Sequence, residues 1–295
     1  MIKKKNKRNT LVCVLYITPV LVMILLFRAY PIYEVITKSF TNWDGLFQKD
    51  FIGTANYSNL FSSSYFWGTV KNCIVILINV PIQLFIGIIV AMLLYEKVFG
   101  WKFFRGLFYL PQIISAVIVG YLFRIFFAYD GPINYVLSLL GKKEPIDWMG
   151  NRTTALIVII IALVWINIGW QSVLFLGGLT SIPDSVLEAA KLDGASFMQR
   201  TFLVILPMLG RVTEYSCIMS ISWTFSGLFP FIFSITKGGP GYDTTTLDYL
   251  IYQKAFVESS SLGQACALAV ILLIIVGTIT VVQRKLSDKL NEWAD

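Results

Sequence analysis

Histidine is absent from the 295 residues, which removes the side chain most used to shuttle protons near neutral pH and to bind transition metals. Charge is scarce: 14% of residues are Asp, Glu, Lys or Arg, against about 25% in an ordinary soluble domain. Cysteine occurs four times, as Cys13, Cys73, Cys217 and Cys266, each inside an apolar run and none at a paired spacing. That pattern excludes a disulfide framework and a thiolate metal site. The phosphate-cradling pattern G-x-x-x-x-G-K-[ST] is missing; the nearest approach, GGPG at Gly238–Gly241, lacks the Lys and the hydroxyl and reads as a turn. No nucleophile motif and no carboxylate pair stands within an apolar run. The sequence therefore nominates no catalytic residue and no metal ligand, and the chain reads as not itself an enzyme.

What is present is apolar length. Hydrophobic residues make up 56% of the chain, and mean hydropathy is +0.71. Six runs, Thr10–Phe27, Val70–Leu94, Leu107–Phe127, Ala155–Leu176, Val212–Ile235 and Ala265–Val282, each reach the roughly 18–25 residues that cross a bilayer as a helix. Backbone groups in hydrocarbon must be satisfied within the segment, so helices are expected. The fold class is all-α: a polytopic membrane protein with six transmembrane helices. Lys3, Lys4, Lys5, Lys7 and Arg8 precede the first run without an acidic residue, which places the N-terminus in the cytoplasm by the positive-inside rule. Six crossings return the C-terminus to that side, where Arg284, Lys285 and Lys289 agree. The net charge of +7 then reflects topology, and no basic patch interleaved with exposed aromatics points to nucleic acid. Residues 1–69 hold the N-terminus, first span and an outer loop; 70–285 form a core of five spans; 286–295 are a tail.

One inner connection, 177–211, is charged. It carries Asp184, Glu188, Lys191, Asp193 and Arg200 between two apolar runs. Ser181 stands three residues before Asp184, and Ser196 three before Gln199, the spacing in which a hydroxyl and a third-residue side chain cap a helix start. Pro183 suits a first helical turn. Gly194 supplies a stop or sharp bend because it takes a positive φ without strain. The expectation is helix, turn, helix on the inner membrane surface, with Pro207 entering the fifth span.

This stretch, EAAKLDGASFMQRTFLVILP, resembles the EAA signature of permease subunits of binding-protein-dependent ABC importers: Glu-Ala-Ala, three residues, Gly, nine residues, Ile, one residue, Leu-Pro. It appears as Glu188, Ala189, Ala190, Gly194, Val204, Leu206 and Pro207, with Val204 replacing Ile. YLPQIISAVIVGYLFRIFF and TKGGPGYDTTTLDYLIYQKAF are similar to the carbohydrate-uptake, maltose-permease-like branch. The resemblance implies a type I ABC importer permease fold in a bacterial cytoplasmic (inner) membrane. It implies a second homologous permease subunit, a dimer of ATP-binding subunits and an extracytoplasmic substrate-binding protein as partners, with membrane lipid around the spans. ATP and Mg would sit on the ATPase, with no cofactor on this chain. Glu188, Ala189, Ala190, Asp193, Gly194, Leu206 and Pro207 would form the coupling loop. Permeases for glycerol-3-phosphate or a similar polyol phosphate share these motifs and stand as the alternative. An ion-coupled secondary transporter would need acidic residues or histidines within spans.

Polar side chains inside apolar runs are costly and mark candidate substrate contacts. Asn79 and Gln83, then Asn167 and Gln171, are four apart and share a helix face; Trp223 and Ser226 lie in the fifth run. Amides and hydroxyls suit the hydroxyls of a sugar or oligosaccharide, and an indole suits the apolar face of a pyranose. The plainer role for the same residues is hydrogen bonding between neighbouring helices, at about 0.6 kcal/mol each.

Overall fold

The computed structural model describes residues 7–46, 50–258 and 262–291, with side chains from 14 to 285 within those limits. Lys3, Lys4, Lys5 and the last residues of the expected tail, 292–295, lie outside it. Among the described residues the regular structure is helical, joined by turns and loops, and the one β feature is an isolated bridge between Thr41 and Phe51. The chain divides into two compact units, one of Met1–Ser62 with Ile251–Ile271, the other of Ser63–Leu250 with Leu272–Asp295.

In the first unit, α1 (Lys7–Ile24) passes through a π-helical turn, Leu25–Ala29, into α2 (Tyr30–Lys38). Pro31 explains the wide turn, since proline lacks the amide a regular helix needs and crowds the carbonyl four residues back. The first helical run therefore does not stop at Phe27, as its composition suggests, but continues to Lys38. α3 (Ala55–Phe61) follows. Its buried Asn56 donates to the carbonyls of Ser39 and Thr41, both at 2.9 Å, and so fastens the chain where α2 ends.

The second unit opens with α4 (Ser64–Ile76) and α5 (Asn79–Tyr95), then α6 (Trp101–Ile113) and α7 (Ala116–Phe126). α8 (Pro132–Leu139) precedes the long α9 (Arg152–Leu179). The charged connection forms α10 (Asp184–Leu192) and a second helical stretch from α11 (Phe197–Gln199) through a π-helical Arg200–Ile205 to α12 (Leu206–Met208). α13 (Gly210–Ser226), α14 (Phe229–Ile235) and α15 (Leu247–Tyr252) follow, and α16 (Leu262–Asn291) ends the described chain.

Among the described residues, four apolar helices are long enough to cross a membrane: Val14–Lys38, Ser64–Tyr95, Arg152–Leu179 and Leu262–Lys285. The other two expected spans are not straight. α6 and α7 meet at 100°, and the stretch Phe197–Met208 meets α13 at 84°. Counting each bent pair as one span gives six. The first bend falls at Ile114 and Ser115, whose extended backbone (ψ 140° and 132°) interrupts the helix. The apolar run Val212–Ile235 is also broken: Gly227 ends α13, and Pro230 sits in the first turn of α14, the position proline tolerates best.

The core of this unit is built on α5 against α9. At Gly87 the two backbones approach so closely that an added Cβ would stand 2.5 Å from Gln171 Cβ. Where α5 and α9 end, Ile88, Met92, Phe175 and Leu179 form a buried cluster that also takes in Leu187 of α10, Ile205 and Leu209. The charged connection is therefore anchored by its apolar side to the same ends of α5 and α9.

Candidate functional site

α10 presents two faces. Leu187 is buried in the cluster and Ala190 is also buried, while Ser185, Glu188, Ala189 and Leu192 share the opposite face and are exposed. Leu192 is 88% exposed, an unusual setting for a leucine on a charged helix. Of the coupling residues read from sequence, Ala190 packs inward and Glu188, Ala189, Asp193, Gly194 and Pro207 are exposed; Leu206 is partly buried against the cluster.

The end of α10 follows from Gly194. It takes φ +78°, so that its own amide donates to the Lys191 carbonyl at 3.1 Å and the Ala195 amide to that of Ala190 at 3.0 Å. This pair of bonds is the Schellman arrangement that closes a helix. Ser196 and Gln199 then form the expected reciprocal cap: Ser196 N donates to Gln199 Oε1 at 2.8 Å and Gln199 N to Ser196 Oγ at 3.4 Å. The corresponding expectation for Ser181 fails. Pro183 occupies the N-cap of α10 without a side-chain cap, and Asp184 instead accepts from the Tyr95 hydroxyl at 2.6 Å.

Tyr95 and its neighbour Glu96, which no sequence motif singles out, tie α10 to α5. Arg200 Nη2 donates to Glu96 Oε1 at 2.8 Å, and Lys191 Nζ stands 3.4 Å from the same oxygen. Arg200 Nη1 donates to the Ala195 carbonyl at 2.8 Å. Both ends of α10 are thus fastened to the tip of one helix.

Further along α5 lies a cavity of about 440 Å³. It brings together Gln83, Asn167 and Trp223 of the six nominated residues, and adds Gln112, Trp170 and Ser220. Gln83 is 2% exposed, and its Oε1 has no hydrogen-bond partner among the described residues. A buried, unanswered amide oxygen costs about 1–3 kcal/mol, and its place in a cavity wall leaves it open to water or a polar solute. The other three nominated residues are engaged within the protein. Asn79 donates to Ile76 O at 2.6 Å and to Thr224 Oγ1 at 3.3 Å. Gln171 donates to Ser220 Oγ at 2.8 Å and accepts from the Ser216 hydroxyl. Ser226 is exposed and donates to Ser222 O at 3.0 Å. Gln112 and Trp170 could have been found from sequence only by knowing that α6 ends beside α9.

The segment between α14 and α15 is held by Asp248. Its carboxylate accepts from Thr246 Oγ1 and Phe229 N, both at 2.5 Å, and from Tyr249 N at 2.9 Å. Burial pushes the Asp248 carboxyl above the usual carboxylate range, and these bonds hold it partly back.

Apolar helices of membrane-spanning length, two of the spans bent, and a charged connection clamped onto the tip of α5 describe a polytopic membrane protein. The chain belongs to the family of binding-protein-dependent transport system inner membrane components, matched over residues 70–288. It is 36% identical over 278 residues to the multiple sugar-binding transport system permease protein MsmF of Streptococcus mutans, covering 92% of this chain and 93% of that one. It is 31% identical over 277 residues to the sn-glycerol-3-phosphate transport system permease protein UgpA of Escherichia coli, covering 91% of each. Its fold matches a chain of a bacterial alginate ABC transporter solved with an alginate pentasaccharide-bound periplasmic protein, at TM-score 0.83 and 21% identity over 98% of both chains.

Proposed function

We propose that the chain is one of two permease subunits of an ATP-driven importer for a sugar or oligosaccharide delivered by an extracytoplasmic binding protein. Both termini and α10 face the cytoplasm. A separate ATPase dimer, carrying ATP and Mg, receives the exposed face of α10, where Glu188 offers a charge-assisted hydrogen bond and Ala189 allows close approach. The alginate transporter supports the binding-protein partner, and MsmF supports a sugar.

The observation that carries the reading is the double fastening of α10 to the tip of α5 through Tyr95–Asp184 and Glu96–Lys191, with Glu96–Arg200 holding the stretch that follows. Movement of α10 by the ATPase is passed to α5, and α5 carries Gln83 into the cavity. The cavity wall contains amides, indoles and a hydroxyl but no charged side chain, which suits neutral sugar hydroxyls more than a phosphate. The test is affinity purification of the tagged chain beside a Glu188→Ala, Gly194→Asp double variant. An ATPase and a second permease are expected to co-purify with the parent, with the ATPase lost from the variant. Retention of the ATPase by the variant removes the coupling role.

A further inference from the structure

A second cavity, also about 440 Å³, lies near the starts of α4 and α9. Its wall includes Tyr65, Lys71, Asn72, Arg152, Tyr242 and Asp243. Arg152 is held from behind: its Nη2 and Nε donate to Asn72 Oδ1 at 2.8 and 3.3 Å, and Asn72, 1% exposed, donates in turn to the Thr245 carbonyl at 3.0 Å. An amide has been buried to fix a guanidinium at a cavity wall. Neither Arg152 nor Lys71 belongs to an ion pair among the described residues.

The placement is electrostatically unfavourable as it stands. Arg152 is the first residue of a 28-residue helix whose first turn holds no acid, yet that end carries partial positive charge and favours anions. Lys71 adds a second cation in the same wall, against the single carboxylate of the exposed Asp243. Two cations, Arg152 and Lys71, converge on one open cavity, a placement that a bound anion relieves. The Tyr65 and Tyr242 rings, with centroids 4.2 Å apart, supply an aromatic wall beside them.

We propose that this cavity is an anion-binding subsite on the outer side of the permease. It takes the carboxylate of an acidic, sugar-sized solute before the hydroxyl-bearing part of that solute reaches the neutral cavity at Gln83. This rests on the importer reading, which places the starts of α4 and α9 outside. Lys71 and Gln83 are twelve residues apart on α4 and α5, a separation of about 18 Å at the helical rise. Charge is thus read at the mouth, where it raises the local concentration of an anionic solute, and hydroxyls are read deeper. The alternative source of the anion is an acidic side chain on a docking protein.

The test is ligand-observed NMR titration of the full chain in lipid nanodiscs, with galacturonate, galactose and inorganic phosphate as probes. Galacturonate is expected to bind about tenfold more tightly than galactose, the effect of one charge-assisted hydrogen bond. Lys71→Gln should abolish that preference and added salt should erode it. Lys71 has no ion-pair partner among the described residues, so its replacement leaves folding alone; Arg152→Gln provides a second variant. Equal binding of the two sugars by the parent chain, or a preference that survives both substitutions, overturns the proposal. So does indifference to galacturonate and phosphate alike, which would assign the cations to an acidic protein partner. ATPase co-purification, the test of the importer reading, does not involve Lys71, so the two ideas fail separately.

Discussion

Glu96 Oε1 and Arg200 Nη2 lie 2.8 Å apart across 104 residues of sequence, with their side chains only 17% and 12% exposed. The bond joins the tip of α5 to the helical stretch after α10. Glu96→Ala strands a largely buried guanidinium, at about 1–3 kcal/mol, and releases the C-terminal end of α10 and the stretch after it from α5, leaving the Tyr95–Asp184 tie in place. In the reconstituted importer the expected result is ATP hydrolysis that persists while solute uptake falls. Glu96→Gln, which keeps an acceptor, should fall between the two. Equal loss of hydrolysis and uptake would argue for simple unfolding.

Leu192 tests the exposed face. At 88% exposure it contributes little to the fold, so Leu192→Ser should leave thermal unfolding within about 0.5 kcal/mol of the parent. It should nevertheless weaken retention of the ATPase during purification. Unchanged retention would move the contact to another part of α10.

Gly194 is separable from Leu192. Its φ of +78° costs an ordinary L-residue roughly 1–2 kcal/mol. Gly194→Ala should fray the end of α10 and lower coupled transport, and Gly194→Asn should recover part of it, because asparagine visits this region more readily. Uptake assays on the pair would show the order Gly, Asn, Ala.

Gln83 and Gln171 provide a contrast between two buried amides. Gln171 is bonded to Ser216 and Ser220, so Gln171→Ala should destabilise the protein by about 1–3 kcal/mol. Gln83 Oε1 has no partner among the described residues, so Gln83→Ala should leave stability near that of the parent and reduce uptake. Thermal unfolding and uptake, measured on both variants, should rank them in opposite orders.

Gly87 limits how α5 and α9 meet. Even one added carbon would stand 2.5 Å from the Gln171 side chain, so Gly87→Val should cost about 1–3 kcal/mol through overpacking. The loss should appear as lower yield of folded protein in detergent, whatever the solute.

What the sequence makes legible is local. The Ser196–Gln199 cap and the Gly194 stop depend on residues within one turn, and both are found where spacing puts them. Apolar length locates the spans, but hydropathy carries no direction, so it does not show the 100° turn at Ile114 and Ser115 or the continuation past Phe27. The spacing at Ser181 misleads because Pro183 already holds the N-cap and Asp184 has a distant partner in Tyr95. Such partners, like Glu96 for Arg200 or Gln112 for the Gln83 cavity, become neighbours only through tertiary packing.

Ile114 and Ala116, on either side of the break between α6 and α7, both line the Gln83 cavity. Helix ends leave carbonyls in the last turn and amides in the first without partners along the same helix, and hydrocarbon does not tolerate them unless protein or a cavity answers. If the chamber is the solute passage proposed above, part of its polarity would then belong to the main chain at this break. Replacing lining side chains would alter which solute is preferred without turning the chamber into an oily one. Such a permease could be retuned by side-chain drift alone, keeping a polar passage throughout.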